Sequence, residues 1–206
     1  MIGIVDHGMG NIMSVFNAID ALGVEARICK KCEDLRKAER IILPGVGAFG
    51  DCMKNLKEKK FIEVLEDLVL KEQRPILGIC LGMQVMARKG FENGEHTGLG
   101  WIDAEVVRLT PDDASLRIPH VGWNNINYRK ESPLFQGLPL SSDFYFVHSY
   151  YMKVKNPELV DATCLYGGEV TAAIRMKNIY ATQFHPEKSQ EYGLKVLENF
   201  LSIGLS

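Results

Sequence analysis

The chain has 206 residues, of which 46% are hydrophobic and 24% charged, with a formal net charge of −2 at pH 7. These values are typical of a globular protein, and they argue against a basic nucleic-acid-binding domain and a polybasic membrane-binding surface. Residues 1–5 lack the basic region of a secretory signal, and no apolar run approaches the ~20 residues of a membrane span. The five cysteines are scattered rather than arranged as a disulfide framework. We therefore expect a cytoplasmic protein that contacts neither nucleic acid nor membrane.

Strand and helix patterns alternate over the first ninety residues. Short apolar runs predict buried strands, and apolar side chains at helical spacing predict helices. This alternation predicts βαβ units and a parallel sheet. The predicted strands cover residues 2–5, 24–29, 40–43 and 75–79, and the predicted helical stretches cover residues 11–22, 51–59, 61–72 and 81–89.

The segment 100–168 differs, because it is rich in short β-branched and aromatic runs broken by Pro, Gly, Asn and Ser. We interpret it as antiparallel strands added to an otherwise parallel sheet. A strand at 179–184 follows, and then a helix from an N-cap at Ser189 to Leu201. With no repeat or linker in the sequence, residues 1–206 are predicted to form one α/β domain with a mostly parallel, doubly wound sheet and an added antiparallel β-rich segment.

A candidate nucleophile lies in the pentapeptide GICLG at residues 78–82, between a predicted strand and a predicted helix. This is the nucleophile-elbow pattern with Cys80 in place of serine. A sharp strand-to-helix turn strains the backbone of the nucleophile, and glycine neighbours avoid a collision there. A helix N-terminus also stabilises a thiolate. The alternative is that Cys80 is a small buried core residue.

A candidate base and its orienting group follow the last predicted strand, in the segment QFHPE at residues 183–187. A thiolate nucleophile needs a base, which a third group holds in place. In extended chain His185 and Glu187 would point to the same side. The carboxyl end of a strand in a parallel sheet is also where ligands bind. The alternative is a strand-end histidine with a solvated glutamate.

Two further motifs suggest other chemistries. Residues 45–50 match the dinucleotide pattern GxGxxG, but they follow the third strand, and Pro44 precedes the first glycine. A glycine-rich loop at a strand end can instead direct N–H groups at an oxyanion, which suits Cys80 better.

Cys29 and Cys32 form a CxxC, but without the flanking residues of a redox motif or a second pair for zinc. The histidines show no i, i+4 metal pair.

These motifs together make the chain similar to the class I (triad) glutamine amidotransferases, and most similar to the glutaminase subunits of imidazole glycerol phosphate synthases. The similarity covers essentially the whole chain. The motifs that carry it are VDHGMGN at residues 5–11, LPGVGAF at 43–49, GICLGMQ at 78–84, HVGWN at 120–124, FVHSY at 146–150 and FHPEKS at 184–189.

The resemblance implies a flavodoxin-like amidotransferase fold and a role for each motif residue. It implies that Cys80 attacks the carboxamide of glutamine, that His185 protonates the departing ammonia and then activates water, and that Glu187 holds the imidazole. No metal or organic cofactor is implied. The implied oxyanion hole comprises Gly45, Val46, Gly47 and Leu81, and the implied glutamine pocket comprises Gln84, Ser149 and Tyr150.

The resemblance also implies a partner, a cyclase subunit of (β/α)₈ fold that receives the ammonia in a heterodimer and makes imidazole glycerol phosphate and aminoimidazole carboxamide ribotide for histidine biosynthesis. Trp123, Tyr145 and Lys188 match positions at or near that interface, although the two aromatic rings could be core residues and the lysine an ordinary solvated one. The alternatives left open are a paralogous subunit that supplies ammonia to a surface-sugar-modifying synthase, a catalytically silent regulatory subunit, and a dinucleotide-binding oxidoreductase.

Overall fold

The computed structural model describes residues 1–204, whose strands build one large sheet and two small ones. The strands are β1 (Ile2–Val5), β2 (Ala26–Cys29), β3 (Arg40–Gly45), β4 (Ile76–Cys80), β5 (Ala87–Gly90), β6 (His96–Thr97), β7 (Ile102–Arg108), β8 (His120–Asn125), β9 (Asn127–Tyr128), β10 (Asp143–His148), β11 (Tyr150–Val154), β12 (Val160–Leu165), β13 (Glu169–Met176) and β14 (Ile179–Thr182). The helices are α1 (Ile12–Ala21), α2 (Cys32–Leu35), α3 (Phe49–Glu58), α4 (Phe61–Leu65), α5 (Leu81–Gln84) and α6 (Gln190–Ser202).

The large sheet has the strand order β2-β1-β3-β4-β14-β13-β12-β9. Its first five strands run parallel to one another. The remaining three continue it with antiparallel pairings. The prediction of a mostly parallel sheet with added antiparallel strands is therefore confirmed.

Apolar residues cover both faces of this sheet. Strands β1, β3 and β4 are buried along their whole length, as expected for central parallel strands covered on both sides. One core cluster contains the buried side chains of α3 and α4, and the other contains those of α1 and α6. This is the doubly wound arrangement that the alternating pattern predicts. Within residues 1–204, no helix has both the length and the apolar character that crossing a membrane requires.

The predicted helix over 81–89 is wrong in its second half. Helix α5 is a single turn that ends at Gln84, and β5 begins at Ala87. The backbone N–H of Leu99 donates to the carbonyl of Val85, which a helix continued to Lys89 would need for its own amide. The N–H groups of Gly98 and Gly100 donate to the carbonyls of Arg88 and Ala87. Long-range backbone pairing therefore overrides the local helical pattern.

The β-rich segment also differs from the prediction. Only β9 and β12 of the segment 100–168 join the large sheet, whereas β7 and β11 form a four-stranded sheet with β5 and β6. Strands β8 and β10 pair as a separate ribbon. The strand-rich part begins at Ala87, before the predicted boundary, and β13 lies beyond it. The boundary error follows from the misassigned helix, since residues 87–90 form β5, which pairs with both β6 and β7 in the small sheet.

Candidate active site

The turn at Cys80 places this residue at the junction of β4 and α5. Its backbone has a φ of +53° and a ψ of −106°, a conformation that costs a non-glycine residue of the order of 1–3 kcal/mol. A Cβ at Gly78 would lie 2.8 Å from the carbonyl oxygen of Gly82, and a Cβ at Gly82 would lie 1.7 Å from that of Leu43. Both glycines of the pentapeptide are therefore required by close packing, as the elbow pattern predicts.

His185 and Glu187 lie beyond the end of β14, which is the neighbour of β4 in the sheet. The imidazole Nδ1 lies 2.8 Å from Glu187 Oε1, and both side chains are buried. Because a carboxylate only accepts hydrogen bonds, Nδ1 carries the hydrogen. Glu187 lies in a 3₁₀ turn (Pro186–Lys188) rather than in the extended chain that the sequence analysis assumed, yet the two side chains still meet.

The backbone around His185 is fixed by β10 and by Ser189. The amide of His185 donates to the carbonyl of Tyr145, and Ser189 Oγ donates to the carbonyl of His185 at 2.6 Å. Ser189 Oγ also accepts from the amide of Tyr145. Ser189 precedes α6 as predicted, but its side chain makes no capping bond to that helix, because it is used to position the histidine.

Burial and neighbouring charges shift the pKa of His185 in opposite directions. Burial disfavours its charged form, but the charge of Cys80, together with the hydrogen bond and charge of Glu187, outweighs burial and raises the pKa of His185 to about 10. His185 is therefore an imidazolium at neutral pH. This arrangement is the charge pattern expected of a thiolate–imidazolium pair with a carboxylate behind the ring.

Gln183 is a site residue that the sequence analysis did not propose. Its side chain is fully buried, and Nε2 lies 3.6 Å from Cys80 Sγ. Its Oε1 accepts from Gln84 Nε2 at 3.0 Å, so it links the nucleophile to a predicted pocket residue. A polar side chain two residues before the His-Pro-Glu segment, just after the end of β14, is the signal that could have identified it.

A cavity of about 580 Å³ opens beside Cys80. Gln84, predicted to bind substrate, donates from Nε2 to the carbonyl of Tyr150 at 2.9 Å, which fixes its amide on the pocket wall. The structure thus brings together residues from four separate motifs. The predicted residues that line the cavity are Val46, Gly47, Cys80, Leu81, Gln84, Ser149, Tyr150 and Lys188.

The loop of residues 45–47 borders this cavity. Gly45 pairs with Cys80 at the end of the β3–β4 ladder, and a Cβ on it would lie 3.0 Å from Leu81 Cβ. Gly47 has a φ of +103°, and a Cβ there would lie 2.4 Å from the Cε of Met9. A Cβ at Gly50 would meet the ring of His96 at 2.6 Å. The glycines of this motif are explained by close packing against Leu81, Met9 and His96, which removes the reason for a dinucleotide site.

The three predicted interface residues form one cluster, and Lys188 also lines the cavity. Trp123 and Tyr145 are partners in the β8–β10 register, and their rings pack edge-to-face with centroids 6.1 Å apart. Lys188 Nζ lies 5.8 Å from the centroid of the Tyr145 ring. Trp123 is 49% exposed, so it is not a core residue.

The CxxC motif shows no redox or metal chemistry. Burial raises the pKa of the Cys29 thiol to about 11, and burial likewise raises the pKa of Cys32, whose Sγ donates to the carbonyls of Lys59 and Lys60. Such thiols are poor nucleophiles and poor metal ligands at neutral pH. Across residues 1–204, no cluster of three or more His, Cys, Asp or Glu side chains is arranged to hold a metal ion.

Comparison with known proteins identifies the family. The family model of class-I glutamine amidotransferases matches residues 3–203. The chain belongs to the class-I glutamine amidotransferases. An imidazole glycerol phosphate synthase subunit HisH 1 from Campylobacter jejuni (strain RM1221) is 50% identical to this amidotransferase over 98% of the present chain and all of the relative. A subunit HisH from Brucella abortus (strain 2308) is 46% identical, over 97% of each chain.

The fold of this amidotransferase also matches solved structures. A crystal structure of a glutamine amidotransferase covers 98% of the present chain and 97% of its own, with a TM-score of 0.73 and 22% sequence identity. At 22% sequence identity, the match is evidence of a shared fold. It agrees with the sheet order and with the predicted fold class.

Replacing Cys80 by serine is expected to lower the pKa of His185 in this amidotransferase. The charge of the sulfur is lost, whereas burial still disfavours the imidazolium and Glu187 alone opposes it. Titration of His185 followed by NMR of its ring carbons should show a midpoint near pH 10 in the native chain and a clearly lower one in Cys80→Ser. Since the folded-state pKa exceeds the unfolded value of about 6.5, the imidazolium stabilises the fold fully below pH 6.5, and this contribution disappears as the pH rises through 10. An identical midpoint in both proteins would contradict the ion pair.

Proposed function

We propose that this chain is the glutaminase subunit of an imidazole glycerol phosphate synthase. The observation that carries the proposal is the meeting of Cys80, His185 and Glu187 beside a cavity, in a chain 46–50% identical to two relatives named as such subunits. It hydrolyses glutamine to glutamate and ammonia and passes the ammonia to a cyclase of (β/α)₈ fold. The reaction takes place in the cytoplasm, and its products enter histidine biosynthesis.

The reaction begins with attack of Cys80 Sγ on the carboxamide carbon of glutamine. The tetrahedral intermediate collapses to a γ-glutamyl thioester as the carbon–nitrogen bond breaks. His185 gives its proton to the leaving nitrogen, which departs as ammonia. Its raised pKa ensures that this proton is present at neutral pH. The neutral imidazole then removes a proton from water, whose oxygen attacks the thioester and releases glutamate and the thiolate.

Glu187 keeps the imidazole in one orientation throughout. Its hydrogen bond to Nδ1 leaves Nε2 as the atom that exchanges protons with substrate and water. Within residues 1–204, the buried His185 Nε2 has no hydrogen-bond partner, so it is available to exchange protons during the reaction.

The negative oxygen of the intermediate requires donors close to Cys80. The amide of Leu81 follows the nucleophile directly, and the loop of residues 45–47 borders the same cavity. These are the groups we assign to the oxyanion hole. Gln84, Ser149 and Tyr150, on the opposite part of the cavity wall, hold the amino-acid end of the substrate.

The proposed partner surface is centred on Trp123, Tyr145 and Lys188, of which Lys188 lines the cavity. Trp123 and Val121 are two residues apart on β8, so they face the same side of the ribbon, and they are 49% and 55% exposed. Together with Tyr145 and Lys188 they form an apolar patch with one cation, beside the place where ammonia is released. A partner docked here would cover the exit and receive ammonia without loss to solvent.

The silent-subunit alternative conflicts with this geometry. A cysteine held at a positive φ is costly to the fold, and a scaffold would gain nothing from keeping it. A paralogous subunit with another ammonia acceptor would use the same triad. It differs only in the partner, so the identity of the copurified synthase decides between the two.

Replacing Cys80 by serine is expected to reduce glutamine hydrolysis by at least about 10³-fold, because the nucleophile is lost while the fold is kept. Ammonia release from the complex with its synthase partner measures this. Cys32→Ser, which changes a thiol away from the cavity, is the matched control and should keep the native rate. Undiminished hydrolysis in Cys80→Ser would refute the mechanism.

Hydrolysis is expected to be slow in the isolated chain and to rise at least about tenfold when the cyclase and its nucleotide substrate are added. Val46 belongs to the loop assigned to the oxyanion hole and is 37% exposed. We expect this loop to take the geometry of a complete oxyanion hole only when a partner is docked over it. The assay compares glutamate formation with and without the copurified partner. Full activity in the isolated chain would show that the loop is already complete. If the copurified partner is a sugar-modifying synthase and not the cyclase, the chain is the paralogous subunit that supplies ammonia to that synthase.

A further inference from the structure

A buried histidine lies directly behind the loop assigned to the oxyanion hole. His7 follows β1 in the turn that leads to α1, and its side chain is fully buried. Its Nε2 lies 2.9 Å from the carbonyl oxygen of Pro44, the residue immediately before the loop of residues 45–47. No step of the mechanism above uses this histidine.

The protonation of His7 follows from its neighbours. A carbonyl oxygen only accepts, so Nε2 carries the hydrogen and donates to Pro44. The Cys52 Sγ lies 3.9 Å from Nδ1, as a weak thiol donor to the second nitrogen. Burial lowers the pKa of His7, and the nearby Lys59 ammonium adds to this, against the bond to Pro44 and the charge of Asp6. A neutral ring with one fixed donor results.

The hydrogen bond from His7 to Pro44 lies at the end of β3, where it can fix the position of the strand end. The ladder between β1 and β3 ends with the pair Ile4–Ile42, two residues before Pro44. On its other side, β3 stays paired with β4 as far as Gly45 and Cys80. The imidazole therefore supplies the donor for a strand carbonyl that β1 no longer reaches, and it holds the end of β3 at the place where the loop begins.

The turn that carries His7 contacts the loop at two more points. The Cε of Met9 lies 2.4 Å from the position of a Cβ on Gly47, and a Cβ on Gly10 would be in van der Waals contact with the Cα of Gly45, at 3.7 Å. Lys59 Nζ in turn donates to the carbonyl of Asp6 at 3.0 Å and fixes the start of the turn. The turn is thus a rigid support under the loop.

We propose that His7 is a positioning residue for the oxyanion hole, acting through its Nε2–H bond to Pro44, which fixes the end of β3 so that the loop of residues 45–47 can present its N–H groups to the intermediate. The inference rests on the proposed glutaminase function. It adds to that function a residue that touches neither glutamine nor the triad. Because the oxyanion exists only after Cys80 has attacked, loss of the bond should slow the chemical step and leave glutamine binding unchanged.

The test compares four versions of the chain in complex with its synthase partner: native, His7→Phe, His7→Asn and His7→Gln. Phenylalanine keeps a ring without a donor, asparagine is too short to reach Pro44, and glutamine places an amide nitrogen near the position of Nε2. We expect kcat for glutamine to fall about 10–100-fold in His7→Phe and His7→Asn with KM changed less than about twofold, since a directly acting donor contributes about 10²–10³. His7→Gln should recover kcat to within about threefold.

Several results would overturn the inference. These are an unchanged kcat in folded His7→Asn, a rise in KM without a fall in kcat, and a His7→Gln variant as slow as His7→Asn. If His7→Phe does not fold, the asparagine and glutamine variants decide the matter, because both are small polar side chains that differ in reach. Cys80→Ser is assayed in parallel. If the native complex shows no hydrolysis that depends on Cys80, the proposed function fails with this inference; if it does, failure of the His7 variants to slow catalysis removes the inference alone.

Discussion

The close approach of the β4–α5 turn to the end of β3 is the constraint on which the site depends. A Cβ at Gly82 would lie 1.7 Å from the carbonyl oxygen of Leu43, and a Cβ at Gly45 would lie 3.2 Å from the amide nitrogen of Gly82. With both side chains absent, the backbone can turn sharply and hold Cys80 at a positive φ. That turn places the Cys80 thiol beside Gln183, just beyond the end of β14, and in the same cavity wall as Val46 and Gly47.

Packing positions the residues of the triad, and the charges of Cys80 and Glu187 determine the protonation of His185. An imidazolium as deeply buried as His185 is unfavourable on its own, and it is tolerated because Cys80 and Glu187 lie on its two sides. The rest of the buried histidines behave in the opposite way. Burial lowers the pKa of both His120 and His148 to about 4, and they share a neutral hydrogen bond of 3.0 Å between Nδ1 and Nε2. The charged histidine is therefore singled out by its partners, since burial itself acts on all of these rings in the same direction.

The sequence predicted the central strands, the flanking helices and the triad residues, because these depend on local patterns: apolar runs, helical spacing and glycines around a turn. It did not predict features created by long-range pairing. Residues 81–89 have a helical pattern, yet carbonyls at 85, 87 and 88 accept from amides of residues 98–100. Gln183 and His7 were missed for the same reason, since their roles depend on neighbours about a hundred and about forty residues away in the chain. Only the folded sheet brings those groups together.

The central claim is that one cysteine among five is the nucleophile for glutamine. The most direct measurement is to treat the native complex with an electrophilic glutamine analogue and to locate the adduct by peptide mass spectrometry. The account predicts a single adduct on Cys80, suppressed by excess glutamine, with Cys29, Cys32, Cys52 and Cys164 unmodified, because burial raises the pKa of each of those thiols. An adduct on any of those four cysteines, or no modification of Cys80, would contradict it.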